Sequence, residues 1–129
     1  MTILDEDIPE DPYQLLRRRR IAARRIGMEV GRLGMKDREI LALLHSLSQP
    51  TFFTLDHGFF KRGFCHAGYC LVHLDIEEEK AAEFIRRTLR HRQLNARAKR
   101  TGAVLRVRPG GIAAWRLHAK HVAHLSWKN

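Results

Sequence analysis

The segment TFFTLDHGFF, at residues 51–60, limits the fold more than any other part of the chain. Its first five residues have high strand propensity, and the apolar run is too short for a helix. Such a run is typical of a strand that is buried on both faces, as in parallel sheets covered by helices. Asp56 follows at the position where open α/β sheets bind their ligands. The segment therefore predicts an α/β fold with Asp56 in the functional site.

The other predicted elements alternate between strands and helices. Asp11 followed by Pro12 is typical of a helix cap and the first helical residue. Residues 21–26 fit a weak strand or a continued helix, and we choose the strand. The complete prediction has strands at residues 2–4, 21–26, 51–55 and 70–74, and a C-terminal β-hairpin within residues 103–118. The predicted helices start at Asp11, near Asp37, and at Asp75 or a neighbour. This order predicts a mainly parallel sheet, with several strand ends at one edge.

The charge of the chain is strongly positive and unevenly distributed. The chain has 24 Lys and Arg residues against 14 Asp and Glu residues, which gives a net charge of +10. The last acid is Glu83, so residues 84–129 carry only basic or neutral side chains. This distribution favours a nucleic-acid partner, although a solvated basic surface or an acidic protein partner explains it as well. The arginines that we expect to contact RNA are Arg17, Arg18, Arg106, Arg108 and Arg116. Two interpretations of the three hairpin arginines stay open: they share one face that grips a phosphate backbone, or they form a solvated sheet face or an edge protected by charge.

Length and composition set the remaining limits. We expect the 129 residues to form one domain. No apolar run approaches the roughly 20 residues that a membrane span needs, and the acidic N-terminus is unlike a signal peptide. The two cysteines, Cys65 and Cys70, lie in a chain without an export signal, so we expect reduced thiols and a cytoplasmic protein.

Several acids lie where the predicted sheet can bring them together. Asp5 ends the first strand, Asp37 and Glu39 open the second helix, and Asp56 ends the central strand. Carboxylates that converge in a basic protein repel one another, so convergence implies a cation between them. Hard oxygen ligands suit Mg²⁺ or Mn²⁺, which activates water and neutralises charge at a phosphodiester. Helix capping, the helix dipole and a turn explain the same acids one by one.

Three motifs follow one another along the chain: ILDEDIP at residues 3–9, DREIL at residues 37–41 and FTLDHGF at residues 53–59. In this order they resemble the PIN-like nucleases, and most closely a small PIN-like family of uncharacterised function with LLDENLP, SDEEIL and TxDxDF motifs. The resemblance covers about residues 2–76, and the basic segment at residues 84–129 adds little to it.

The resemblance implies a PIN-like three-layer sandwich and a metal-dependent endoribonuclease of toxin type. It carries the catalytic and metal-binding acids over to Asp5, to Asp37 or Glu39, and to Asp56, with Mg²⁺ or Mn²⁺ as cofactor. The expected supporting residues around the metal are Asp7, Thr54 and His57. The implied partners are RNA, an acidic antitoxin protein and a second copy of the chain.

One position departs from the family pattern. Gly58 stands where the TxDxDF motif has its second aspartate, so a common fourth acid is missing. Three carboxylates still suffice for one Mg²⁺ ion, but the change argues against a two-ion site. It also favours the alternative function, a non-catalytic module that binds nucleic acid or protein with the same fold.

Soft ligands offer a second kind of site. They are His57, Cys65, His66, Cys70 and His73. Their spacing lacks the tight cysteine pairs of structural zinc sites, and no base partner for a cysteine nucleophile is evident. Zinc binding and cysteine catalysis are therefore disfavoured.

Overall fold

The computed structural model describes residues 1–128 and contains one sheet with helices on both faces. The strands are β1 (Thr2–Leu4), β2 (Arg24–Arg25), β3 (Thr51–Thr54), β4 (Cys70–Leu74), β5 (Ala103–Arg108), β6 (Gly111–Arg116) and β7 (Ala123–Leu125). The helices are α1 (Glu10–Arg18), α2 (Asp37–His45), α3 (Ala81–Arg90) and α4 (Arg97–Arg100). Short 3-10 turns cover His57–Phe59, Arg62–Phe64 and Glu78–Lys80.

The strand order is β2-β1-β3-β4-β5-β6-β7. Pairings from β2 through β5 are parallel, whereas β5–β6 and β6–β7 are antiparallel. After β1 the chain moves outward to β2 and then returns to β3 on the other side of β1. In open α/β sheets, ligands bind outside the carboxyl ends of the strands at such a reversal. The topology therefore indicates a ligand-binding position at the carboxyl ends of β1 and β3.

Alternating side chains of the central strands divide the core into two apolar layers. Helices α1 and α3 pack on one face of the sheet, against Leu4, Phe53, Val72 and Leu105. Helix α2 and the segment that contains Phe59 pack on the other face, against Ile3, Phe52, Leu71 and Val104. The central strands are buried on both sides, which explains why they read as continuous apolar runs. The α/β class and the mainly parallel sheet are confirmed.

Several predicted elements agree closely with the structure. The strands at the start of the chain, at residues 51–55 and at residues 70–74 are confirmed, as are helix α2 and the hairpin of β5 and β6. Helix α4 and strand β7 were not predicted. Helix α4 is only four residues long, and β7 is a largely exposed edge strand of three residues.

Three predicted boundaries are wrong. Helix α1 begins at Glu10 with Pro9 as its N-cap, so Asp11 is not the cap; Pro12 is tolerated because amide groups in the first turn lack helical partners. The expected strand at residues 21–26 is reduced to Arg24–Arg25. Helix α3 begins at Ala81 rather than near Asp75, because a 3-10 turn precedes it.

Within residues 1–128, no helix has both the length and the apolar character that a bilayer crossing requires.

The hairpin turn provides a stability prediction. A β-carbon added at Gly111, where φ is +155°, would lie 2.9 Å from the carbonyl oxygen of Leu125. We expect Gly111→Ala to lower the free energy of unfolding by about 1–3 kcal/mol, as measured by urea denaturation. At Gly110 an added β-carbon meets no atom within 4 Å, so Gly110→Ala is the matched control and should change stability by less than about 0.5 kcal/mol. Equal effects of the two changes would contradict the steric explanation.

Candidate acidic site

The ends of β1 and β3 lie side by side at the reversal of strand order. Leu4 is paired with Phe53, and the amide of Asp5 donates a hydrogen bond to the Phe53 carbonyl at 2.9 Å. Strand pairing therefore places Asp5 next to Thr54, with both side chains buried.

One hydroxyl group connects two carboxyl groups at this position. The Thr54 Oγ1 atom lies 2.7 Å from Asp5 Oδ2 and 3.2 Å from Asp7 Oδ2. It also accepts a hydrogen bond from the Asp56 amide at 3.0 Å. Because a hydroxyl group donates only one hydrogen bond, it can satisfy only one of the two carboxylates. When both acids are ionised, the carboxylate that does not receive the Thr54 proton faces a lone pair of the Thr54 oxygen. A proton or a cation at that carboxylate removes the repulsion.

Backbone amides hold both acids of this acidic pair, Asp5 and Asp7, in place. The Glu6 amide donates to Asp5 Oδ1 at 2.8 Å. The Leu55 amide lies 3.2 Å from each carboxylate oxygen of Asp7. The side chain of Asp7 thus reaches back across the end of β3, although the residue as a whole is exposed. The acidic pair therefore has a defined geometry.

The environment disfavours the charged form of both acids. Burial is the main reason that the pKa of Asp5 is raised, and it outweighs the hydrogen bonds from Thr54 and Glu6. Loss of surrounding water, followed by repulsion from Asp5, raises the pKa of Asp7 to about 6. Asp56 adds further repulsion to both. The site consequently gains stability from any positive charge that enters it.

Asp56 lies at the edge of this site and is the N-cap of the 3-10 turn His57–Phe59. Its Oδ1 atom accepts a hydrogen bond from the Gly58 amide at 2.8 Å, and His57 Nδ1 lies 3.8 Å from the same oxygen. A β-carbon at Gly58 would lie only 3.1 Å from Asp56 Oδ1. Glycine therefore suits the tight turn, and an aspartate in its place would crowd the Asp56 carboxylate.

The acids at the start of α2 have other contacts. Glu39 forms an ion pair with Arg32 and accepts a hydrogen bond from the Lys36 amide at 3.0 Å. The hydrogen bond from Arg32 is the main reason that the pKa of Glu39 is lowered. Asp37 is exposed, and within residues 1–128 neither acid has a hydrogen bond or an ion pair with the acidic pair. Metal binding by Asp37 and Glu39 stays a prediction.

The predicted RNA-binding arginines are not grouped as expected. Arg106 stacks over the Phe60 ring, and Arg108 forms an ion pair with Asp75 at 2.8 Å. Arg116 pairs with Ala103 in the hairpin, which puts it on the opposite face from Arg106, and its guanidinium donates to the Lys99 carbonyl. The expectation that the three share one face is therefore wrong for Arg116.

The two arginines predicted on the first helix have a different position. Arg17 and Arg18 are exposed in the last turn of α1. Both side chains are accessible to a polyanion, although Arg17 also lies over the Tyr13 ring at 5.8 Å.

The described side chains do not form a complete set of metal ligands. Within residues 1–128, no group of three or more His, Cys, Asp or Glu side chains has an arrangement that could hold a metal ion. Cys65 and Cys70 are free thiols. The acidic pair still matches one common form of Mg²⁺ binding, in which one or two carboxylates act together with water and substrate phosphate. Its oxygen donors thus fit an ion that is bound jointly with a phosphate, and they do not form a complete protein cage.

Comparisons with known proteins do not extend this description. No protein-family model matches the chain, and neither the curated proteins nor the solved structures include a significant match.

The raised pKa of Asp7 predicts a pH dependence of stability. Between the unfolded value of 3.8 and the folded value of about 6, the folded protein binds more protons at Asp7 than the unfolded chain does. This contribution to the free energy of unfolding is therefore complete below pH 3.8 and lost as the pH rises to about 6.

We expect Asp7→Asn to remove this loss and to be more stable than the unaltered protein above that range. Urea denaturation of both proteins across it, in the absence of divalent metal, measures the difference. Asp11→Asn makes the same change in the first turn of α1, outside the acidic pair, and should not reproduce the gain in stability. A stability difference between the Asp7 variant and the unaltered protein that is constant with pH would contradict the raised pKa.

Proposed function

We propose that this protein is a metal-dependent endoribonuclease of toxin type, with Asp5 and Asp7 as the acids that bind Mg²⁺ or Mn²⁺. The observation that carries the proposal is the convergence of these two carboxylates on the single Thr54 hydroxyl, at 2.7 and 3.2 Å. This arrangement lies at the reversal of strand order, where open α/β sheets bind ligands. A concentration of negative charge in a chain of net charge +10 supports a role for a cation there.

The residues of the site have distinct proposed roles. Asp5 and Asp7 hold the metal and orient the phosphate that shares it, and Thr54 fixes the angle between their carboxyl groups. Asp56 adds negative charge while its side chain holds the turn that follows β3. Bound Mg²⁺ supplies charge stabilisation at the phosphodiester and activation of water. The PIN-like family, resembled through the three sequence motifs, remains part of this proposal.

Basic grooves beside α1 and α3 support RNA as the substrate. Leu15, Arg19 and Arg86 are among the residues that line a groove of about 450 Å³ beside α1 and α3. The neighbouring Arg87 guanidinium lies 4.4 Å from the centre of the Trp127 ring. Arginine and an aromatic ring together bind nucleic acid through charge and stacking. Arg17 and Arg18 are exposed in the last turn of helix α1.

RNA cleavage in the presence of Mg²⁺ or Mn²⁺ tests the proposal. The unaltered protein should cleave RNA, EDTA should abolish cleavage, and Asp5→Asn and Asp56→Asn should reduce it. Equal activity in all three proteins would refute the proposed site. Thermal denaturation with added Mn²⁺ gives a separate measurement, since an ion that binds only the folded protein raises the melting temperature.

The alternative is a non-catalytic module that binds nucleic acid or protein. The use of Asp56 as a cap for the Gly58 amide favours it, because that contact occupies one oxygen of an expected metal ligand. Growth arrest on expression that is relieved by the Asp56 change would support the enzyme. RNA binding without any cleavage would support the module. An acidic antitoxin that covers the basic surface, and a homodimer, remain partner proposals that co-purification tests.

A further inference from the structure

A row of polar side chains extends from the acidic site across the sheet. Thr54 pairs with His73, and His73 pairs with Arg106, on adjacent parallel strands. Asp5 continues the row beside Thr54. Paired residues of a parallel sheet project to the same face, so this polar row of Asp5, Thr54, His73 and Arg106 lies on the α2 side. Only its first half belongs to the acidic site.

The second half of the polar row contains buried nitrogen atoms without partners. His73 is 5% exposed, and its Nδ1 atom has no hydrogen-bond partner among the described residues. The Nε atom of Arg106, on the next strand, is also buried and without a partner. Buried nitrogen atoms are nearly always hydrogen-bonded, and an unsatisfied one is costly. Two such atoms on neighbouring strands leave hydrogen-bonding capacity that the described residues do not use.

The charges around His73 show which kind of acceptor fits. Arg106 lies beside it, and the His57 ring centroid is 6.4 Å from that of His73. Two carboxylates lie near: Asp75 is already paired with Arg108 at 2.8 Å, and Asp56 Oδ1 lies 3.8 Å from His57 Nδ1. Within residues 1–128, Arg106 has no ion pair, so its charge is available to an anion.

The positions of these side chains leave an approach from solvent. The side chain of His57 is 88% exposed, and Arg106 is partly exposed where it lies over the Phe60 ring at 4.5 Å. The aromatic ring restricts the guanidinium plane and so reduces the motion that would be lost on binding. Arginine binds phosphate well because its planar group donates parallel hydrogen bonds to two oxygens.

We propose that Arg106, His73 and His57 bind a phosphate group next to the acidic pair. Arg106 supplies the positive charge, and the two imidazoles supply hydrogen-bond donors. Binding of the anion itself requires no metal. Its identification as a phosphate of the RNA chain, adjacent to the one at Asp5 and Asp7, depends on the proposed nuclease function.

Histidine-detected ¹⁵N NMR titration tests the phosphate site with EDTA present. The probes are inorganic phosphate and a non-hydrolysable RNA dinucleotide, and the readouts are the ring resonances of His73 and His57. Both probes should shift these resonances with saturation, and the dinucleotide should bind more tightly if the phosphate comes from RNA. We expect Arg106→Gln to weaken binding at least about tenfold. Arg24→Gln is the matched control, because this exposed arginine lies on β2, which three strands separate from β5; it should change binding less than about twofold.

The outcomes separate this site from the nuclease proposal. An unshifted His73 resonance with both probes would overturn the phosphate site, as would equal weakening by the two arginine changes. Tighter binding of inorganic phosphate would overturn the assignment to RNA. Thermal denaturation verifies that Arg106→Gln is folded. His57→Gln changes an exposed side chain and should not affect folding, yet it should also weaken binding. EDTA prevents metal-dependent cleavage, so the titration measures anion binding alone. Absence of phosphate binding would therefore not contradict the nuclease proposal, and absence of RNA cleavage would not contradict the phosphate site.

Discussion

Asp5→Asn should lower the rate of RNA cleavage by at least about 100-fold, which corresponds to about 2.7 kcal/mol of transition-state stabilisation. The change removes one negative charge from the acidic pair but keeps the shape of the side chain. One amide oxygen can still accept a hydrogen bond from Thr54 or from the Glu6 amide, the two donors that hold Asp5 at 2.7 and 2.8 Å. Because burial raises the pKa of Asp5, loss of its charge should not destabilise the fold. Activity and stability should therefore separate in this variant.

The measurement is cleavage of a fluorescent RNA at saturating Mg²⁺, together with urea denaturation of the same preparation. Asp11→Asn is the matched control, since it makes the same substitution at an exposed position at the start of α1. It should retain activity within about threefold, as expected for a surface change remote from the site. Full activity of Asp5→Asn, or equal losses in both variants, would exclude the acidic pair as the metal site.

The same assay separates two versions of the site. The family resemblance assigns the metal to Asp37 or Glu39 as well as Asp5, whereas the hydrogen bonds around Thr54 favour Asp7 as the second ligand. Glu39 already has Arg32 and the Lys36 amide as partners. If Asp7→Asn inactivates the protein and Asp37→Asn does not, the acidic pair is the site. The reverse result would place the metal at the start of α2 rather than at the acidic pair.

How much of this site the sequence predicts depends on the range of the interactions involved. The strand at residues 51–55 and the acid after it follow from local propensity and apolar character alone. The adjacency of Asp5 and Thr54 requires the strand order, which parallel topology restricts without determining. The position of Asp7 depends on the loop after β1, where its carboxylate meets the Leu55 amide at 3.2 Å. No periodic signal in the sequence reports such a loop contact.

The hairpin arginines show a different limit. A strand alternates its faces with a period of two, so Arg106 and Arg108 share a face in any register. The face of Arg116 depends on the register across the turn, where Val107 pairs with Ile112 and Ala103 pairs with Arg116. A two-residue turn at Pro109 and Gly110 determines that register. A three-residue turn, which the PGG sequence also allows, changes the register, and this is why the prediction of one shared face was wrong.

Phe52→Ala should lower the free energy of unfolding by about 3–5 kcal/mol, a large part of the 5–15 kcal/mol typical of a folded domain. Phe52 lies in the centre of β3 and is fully buried. Its ring packs edge-on against Phe59, with 5.2 Å between ring centroids. Truncation removes this contact and leaves a cavity between the sheet and α2, which close-packed neighbours can fill only in part. The urea midpoint should fall while the dependence of the unfolding free energy on urea stays the same.

Leu33→Ala is the control for this loss, because it truncates an apolar side chain that is 70% exposed and should cost less than about 0.5 kcal/mol.

The Phe52 change should also affect the candidate site. Phe59 belongs to the His57–Phe59 turn whose N-cap is Asp56, so loosening its ring should loosen the Asp56 carboxylate and the His57 ring with it. We therefore expect Phe52→Ala to weaken phosphate binding even under conditions where the variant is fully folded. A stability loss below about 1 kcal/mol would show that the α2 layer closes over the cavity. Unchanged phosphate binding would show that the phosphate site does not depend on the packing beneath it.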